Sequence, residues 1–179
     1  MKILMLTLFT AVVTTVSFTQ DQNWTNTVVQ ESEVPSAVTS TFKTKYNPSK
    51  IVRWEKRTWQ GKDKLHTKYV VIFDQDGLRQ RARYMDDGSG ISATTYYWLK
   101  NVEKLPEAVK NYASTKYPDF KLESGEKELN LKKGTYVYRI RLRKGKATKL
   151  VVYVNENGEE INKDNVDKEI LENESETVN

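Results

Sequence analysis

Six arginines stand at every second position in two stretches of this chain. "LRQRARYM" carries Arg79, Arg81 and Arg83, and "TYVYRIRL", read on into the next residue, carries Arg139, Arg141 and Arg143. On an extended strand a spacing of two puts side chains on one face, so each triplet forms a stripe. The other face of the first strand then shows Leu78, Ala82 and Tyr84, and that of the second Tyr138, Ile140 and Leu142. A guanidinium is a planar fork that pairs bidentately with carboxylates and phosphates. Like charges adjacent on a pleat repel, so acids or aromatics on neighbouring strands are expected between them. Trp54, Trp59, Tyr96, Tyr97 and Trp98 are too many aromatics for the core of so small a unit, and Tyr96 and Trp98 share a strand face. Trp, Tyr and Arg are the usual anchors of protein interfaces. The expected partner-binding face is therefore Arg79, Arg81, Arg83, Arg139, Arg141 and Arg143 with Tyr96 and Trp98.

Other chemistries find little support. Cysteine is absent, which removes disulfides, thiolate metal sites and a cysteine nucleophile. His66 is the one histidine, flanked by Lys64 and Lys68, and reads as a surface residue rather than a ligand or base. "DQDG", Asp74 to Gly77, opens like a calcium loop, but the twelfth position, where a glutamate is needed, is Met85. That stretch reads as a hairpin turn, as do "DDG" at Asp86 and "NENG" at Asn155. Neither GxGxxG nor GxxxxGK[ST] occurs. Glu55, among Arg53, Lys56 and Arg57, reads as a surface ion pair. No catalytic residue, cofactor or metal is expected. A cryptic carboxylate enzyme, built on two acids in one cleft, is the alternative alongside a structural protein of the envelope.

The opening "MKILMLTLFTAVVTTVSFTQ" has a lysine, an apolar run from Ile3 to Val13 and a small-x-small site at Ser17-Phe18-Thr19. It is read as a cleavable export signal over residues 1–19, because the run is shorter than the ~20 residues of a membrane span. A periplasmic or secreted protein without stable membrane insertion follows, and that compartment argues against nucleic acid as a partner. Charge is uneven. Residues 20–33 hold three acids and no base, and are read as an acidic linker. Residues 34–161 hold 26 basic against 15 acidic residues. The last stretch, 162–179, has six acids and two bases and is expected to be an acidic tail, disordered or a frayed helix, after about Ile161.

What elements position the stripes? "VPSAVTSTFKTKY" from Val34 and "LPEAVKNYASTKY" from Leu105 each have a proline suited to a first helical turn, followed by a 3.6-residue apolar period. Each stops before a proline, Pro48 or Pro118, and then the period changes to two. Four strands follow each helix: "KIVRWEKRTW", "HTKYVVIFD", "LRQRARYM" and "ISATTYYW" after the first, and "FKLESGEKELNL", "TYVYRIRL", "KATKLVVYV" and "EEI" after the second. The expected fold is α+β, with two tandem repeats at 34–98 and 105–161. Each is a helix packed on a four-stranded antiparallel sheet, and 99–104 is a stiff linker. The repeats pack side by side or sheet edge to sheet edge.

The Val/Leu-Pro-x-Ala-Val helix, the Lys-Tyr stop and the Tyr-rich strand ending in "FDQDG" or "VNENG" resemble the PepSY-like, beta-lactamase-inhibitor-like proteins of bacterial envelopes. The resemblance covers residues 34–161. It implies an exported protein, often with tandem copies, and the inhibitor name implies a sheet face that holds another protein. The expectation is thus an exported, non-enzymatic, inhibitor-like binding module that presents an open sheet face to a protein or an anionic envelope polymer.

Overall fold

The structure is a computed structural model that describes residues 25–60 and 65–171. The expected signal, the start of the acidic linker and residues 172–179 lie outside the described residues.

One antiparallel sheet dominates the molecule. Its strands are β1 (Thr25–Val29), β2 (Lys50–Gln60), β3 (Leu65–Gln75), β4 (Leu78–Met85), β5 (Gly90–Trp98), β6 (Lys121–Asn130), β7 (Tyr136–Lys144), β8 (Thr148–Val154) and β9 (Glu160–Ile161), and they lie side by side in chain order. This corrects the expectation of two repeats, each with its own four-stranded sheet. β5 pairs with β6 over seven residues, from Ser92↔Asn130 to Trp98↔Ser124, so no sheet boundary exists at the joint. The residues read as a linker, Leu99–Lys104, form a 3-10 turn that ends in the buried Val102 and Leu105. Leu105 fits against Gly125 of β6, where an added Cβ would come within 2.8 Å of its Cδ1.

Two helices, α1 (Ser36–Lys45) and α2 (Glu107–Lys116), lie on one face of the sheet. Their apolar period selects Val38 and Phe42 in α1 and Val109 and Ala113 in α2 for burial. Phe42 meets Trp54 edge-on at 5.4 Å and Phe73 at 5.0 Å, in a cluster with Tyr69, Val71, Ala82, Tyr84 and Ala93. Val109 and Ala113 pack with Tyr97, Tyr138, Ile140, Leu142, Val152 and Val154. Both helices are pinned at their first turn in the same way. The turn glycines Gly88 and Gly158, at φ +84° and +78°, lie so close that a Cβ would come within 2.7 Å of Ala37 O and 2.5 Å of Ala108 O.

The turns follow their chemistry. Asp76 and Gly77, at φ 55° and 69°, make the two-residue loop between β3 and β4, so "DQDG" is a hairpin turn with the left-handed backbone such loops require.

Two segments differ from expectation. Part of the supposed linker is β1, an edge strand paired with Trp54 to Thr58 of β2. The stretch read as a disordered or frayed-helix tail is packed on the body over its described residues, 162–171. A 3-10 turn at Lys163–Asn165 leads to a one-turn helix, α3 (Lys168–Leu171), with Val166 and Ile170 buried. They pack with Val137 and Tyr153 on the sheet face away from α1 and α2, because those two side chains would otherwise stand in water.

Candidate functional site

The face away from the helices is built from polar side chains, and the strand register orders them into rows. Trp98 lies opposite Ser124, Ser124 opposite Arg141, and Arg141 opposite Val151. One row inward, Tyr96, Glu126, Arg139 and Tyr153 are joined in the same way, and the next holds Ile72, Arg81, Thr94, Glu128 and Val137. Val70, Arg83, Ser92 and Asn130 form the row nearest the C-terminal segment.

All six stripe arginines belong to strands of this sheet, but they do not form one open basic patch. Arg81, Arg83 and Arg139 are buried, at 3%, 1% and 8% exposure. Arg83 Nε donates to Ser92 Oγ at 2.8 Å, and its Nη2 donates to the Glu169 carbonyl of α3 at 2.6 Å. Arg81 Nη2 donates to Thr94 Oγ1 at 3.4 Å and the guanidinium lies 6.0 Å from the Tyr96 ring. Glu126 is gripped from two sides, by Arg139 at 3.0 Å and Arg141 at 2.9 Å. Arg79 pairs with Asp74 and Arg143 with Glu123, each at 2.6 Å. Tyr96 is buried and Trp98 is partly exposed beside it, ring centroids 4.4 Å apart. The aromatics and acids do interleave with the arginines.

Two glutamates of β6 were missed by sequence reasoning. Glu126 and Glu128 share the face, and "SGEKELN" shows the period-two alternation that could have found them. Glu128 accepts from Thr94 Oγ1 at 2.8 Å. Burial and the neighbouring Glu126 push its carboxyl up to about 7. Glu55 is likewise no surface residue, at 2% exposure. Burial pushes its carboxyl up, but hydrogen bonds and charge from Arg57 and Arg53 outweigh that and hold it below the usual carboxylate value. Asn26 of β1 donates to the same carboxylate at 3.2 Å. Glu126 with Arg139 and Arg141, and Glu55 with Arg53 and Arg57, are paired in this face, although Arg83 Nη1 and Arg139 Nε are buried without a hydrogen-bond partner. Removing one partner of a buried pair costs several kcal/mol.

The C-terminal segment covers one end of the face. Asp167 accepts from Asn130 at 3.3 Å and Thr135 at 2.8 Å and pairs with Lys133. The other end stays open: Trp98, Arg141 and Val151 show 36% (whole residue), 38% (side chain) and 47% (whole residue) exposure. Leu99, next to Trp98, is 89% exposed and sits at φ 52°, a left-handed backbone that a leucine rarely adopts. A cavity of 780 Å³ lies where this row meets β8, lined by Arg139, Arg141 and Val151 among others.

His66 stacks on Trp59 at 3.9 Å, and Lys68 lies 5.3 Å from the same ring. Among the described residues no group of three His, Asp or Glu side chains is placed to hold a metal ion, and no helix is long and apolar enough to cross a membrane.

Fold and face together define a single-sheet antiparallel protein with α1 and α2 on one side and, on the other, an arginine–carboxylate face partly covered by α3. No family model matches the chain, and no curated protein is similar to it. Solved structures share the fold. A DUF2874 family protein of Bacteroides ovatus aligns with a TM-score of 0.55 at 16% identity, over 72% of this chain and 85% of that one. A DUF2874 family protein of Bacteroides uniformis gives a TM-score of 0.55 at 16% identity, over 72% and 87%. A Bacteroides eggerthii protein, named as a candidate periplasmic protein, gives 0.53 at 18%, over 72% and 86%. At such identities the likeness is one of fold.

Proposed function

We propose that this chain is an exported, non-enzymatic binding module that uses the uncovered end of its polar face to hold a carboxylate-bearing protein. The observation that carries the reading is the row Trp98–Ser124–Arg141–Val151. Its ends and its arginine are exposed, while the arginines further in are sealed by their own partners and by α3. An indole, a guanidinium and an apolar side chain in one line, with the strained and exposed Leu99 beside them, are the residue types of an interface anchor. Arg141 already holds Glu126 and still shows 38% of its side chain, so it can bridge to a second carboxylate. Export rests on the N-terminal pattern and on the name of the Bacteroides eggerthii neighbour. The inhibitor-like version of the reading adds that the partner is an enzyme held against this strip.

The test is binding to an acidic protein or peptide, measured at low and high salt with the wild type, Arg141→Glu and Trp98→Ala. Exposed ion pairs are individually weak and screened, so affinity should fall steeply with salt and be lost in Arg141→Glu. Undiminished affinity in both folded variants would overturn the reading. A polyuronate that binds in place of the acidic protein, with the same loss in Arg141→Glu, would move the partner to an anionic polymer.

A further inference from the structure

We propose that the outer edge of β8 is a strand-addition site whose occupant is an extended acidic peptide segment, paired through its backbone with Lys149 and Val151. The inference rests on the binding reading above and specifies how the partner is held.

The edge is open because β9 is short. β9 meets only Tyr153 and Val154. Beyond Ile161 the chain turns away, since the Asn162 side chain accepts from the Asp164 amide at 3.0 Å and caps the 3-10 turn that follows. In an antiparallel ladder the backbone groups of successive residues point to alternate sides. Asn155 N–H donates across the turn to Glu159 O at 2.9 Å, away from β7, so the odd-numbered residues of β8 face outward. Tyr153 finds Ile161 there; among the described residues nothing pairs with the outward backbone groups of Val151 and Lys149. β8 has no proline, and its pairing with β7 runs from Tyr138↔Val154 to Lys144↔Thr148 without a bulge. Two common devices for blunting an edge are therefore absent, and the row of free donors and acceptors is a template for another strand.

The side chains around the edge supply places for both faces of an added strand. The cavity straddles β8, with Tyr117, Leu150 and Val152 on the helix side and Arg141, Val151 and Tyr153 on the polar side. Alternate residues of an incoming strand would thus meet an apolar lining and an arginine row.

Charge selects the occupant. From Leu129 to Asn155 the chain has eight lysines and arginines and no acid. Arg143 and Lys144 are paired with Glu123 and Asp119, and Lys149 shares the field of Glu123 without a close ion pair, while Lys146 has no ion pair among the described residues. A second copy is a poor match. Its β1, "TNTVV", carries no acid, and its β8 would bring Lys149 against the same basic hairpin.

The probe is an end-blocked, fluorescein-labelled peptide of alternating glutamate and valine. Binding is followed by anisotropy, and amide exchange of the full chain by NMR. At saturating peptide the Lys149 and Val151 amides should exchange about tenfold more slowly or better. N-methylating the peptide on alternate residues should abolish binding in one register and spare it in the other. Val151→Pro, which removes an outward N–H at an edge that tolerates proline, should lose binding while keeping the fold; if that variant fails to fold, the methylated peptides decide on the wild type. No protection at Lys149 and Val151, or equal binding by both methylated registers, overturns the proposal. Loss in Arg141→Glu without any backbone dependence overturns strand addition and leaves the binding module standing. Protection without peptide in a sedimenting dimer makes the occupant a second copy, against the proposal. Failure of the peptide, an acidic protein and a polyuronate alike overturns both readings.

Discussion

Arg83 and Glu169 are 86 residues apart in the chain, and the guanidinium of one donates to the backbone carbonyl of the other at 2.6 Å. The bond joins β4 to the last helix across the polar face, with Val166 and Ile170 buried on either side of it in sequence. The C-terminal segment is therefore part of the body. Ile170→Ala is expected to cost about 2 kcal/mol or more, the lower range for truncating a buried isoleucine. A chain ending at Asn165 should melt lower still, and equal melting temperatures in calorimetry would show that the segment packs too loosely to matter.

Phe42 sits at the centre of the first core cluster, fully buried against Tyr46, Trp54 and Phe73. Phe42→Ala should destabilise by roughly 3–5 kcal/mol in denaturant unfolding. Since one sheet spans both clusters, the loss should lower a single transition rather than split it in two. A second transition that keeps the wild-type midpoint would contradict that coupling.

The glycines under the helices give a sharper test. An alanine at Gly88 would hold a left-handed φ and meet the Ala37 carbonyl at 2.7 Å, a backbone atom that cannot swing aside. Strain and clash together should cost upwards of about 2 kcal/mol. Gly134, at φ +74° with nothing near an added Cβ, should show the strain alone when changed to alanine, so the difference between the two variants measures the contact.

Glu128 predicts a pH dependence. Its folded pKa, pushed up to about 7, lies above the usual value of 4.5, so the folded protein keeps a proton that the unfolded chain has released. That contribution is full below the unfolded value and is lost as pH rises through the folded one. Glu128→Gln keeps an acceptor for Thr94 and removes the charge. It should gain stability on the wild type as pH rises from about 5 to about 8, with the gap closing in acid. Glu55 runs the other way: its lowered pKa gives stability that is present at neutral pH and lost as pH falls through the folded value. A gap between Glu128→Gln and wild type that stays constant with pH would show that the carboxyl is ionised throughout.

The strands and helices were legible because period two and period 3.6 are written strongly in their apolar residues. Phe42 and Val109 announce a helix face; "YVVIFD" announces a strand. Their assembly was less so. Nothing in the composition of β5 or β6 says that they pair with each other, since the face they share is polar: Ser92, Thr94, Glu126, Glu128 and Asn130 are all buried, Thr94 bonded to Glu128 and the others to Arg83, to Arg139 and Arg141, and to Asp167. β1 has no alternation to read, because Thr25 to Val28 are all exposed. In "DNVDKEILE" the charges masked two apolar anchors. The arginine stripes were found, but burial of Arg81, Arg83 and Arg139 depends on what lies over them, and that is a property of distant chain. Reversing Arg81 to Glu is consequently a test of folding, while Arg141→Glu tests the face.

Among the described residues, nine strands laid down in chain order make nearly every sheet contact a neighbour contact, a low contact order for so much antiparallel structure. A chain that emerges N-terminus first has each new strand's partner waiting beside it. α3 is the exception. Its carbonyl reaches back to Arg83, so the first half of the sheet is sealed only when the last turn of helix has been made. Any truncated product would display an unsealed arginine face, a difference that a protease or chaperone can act on.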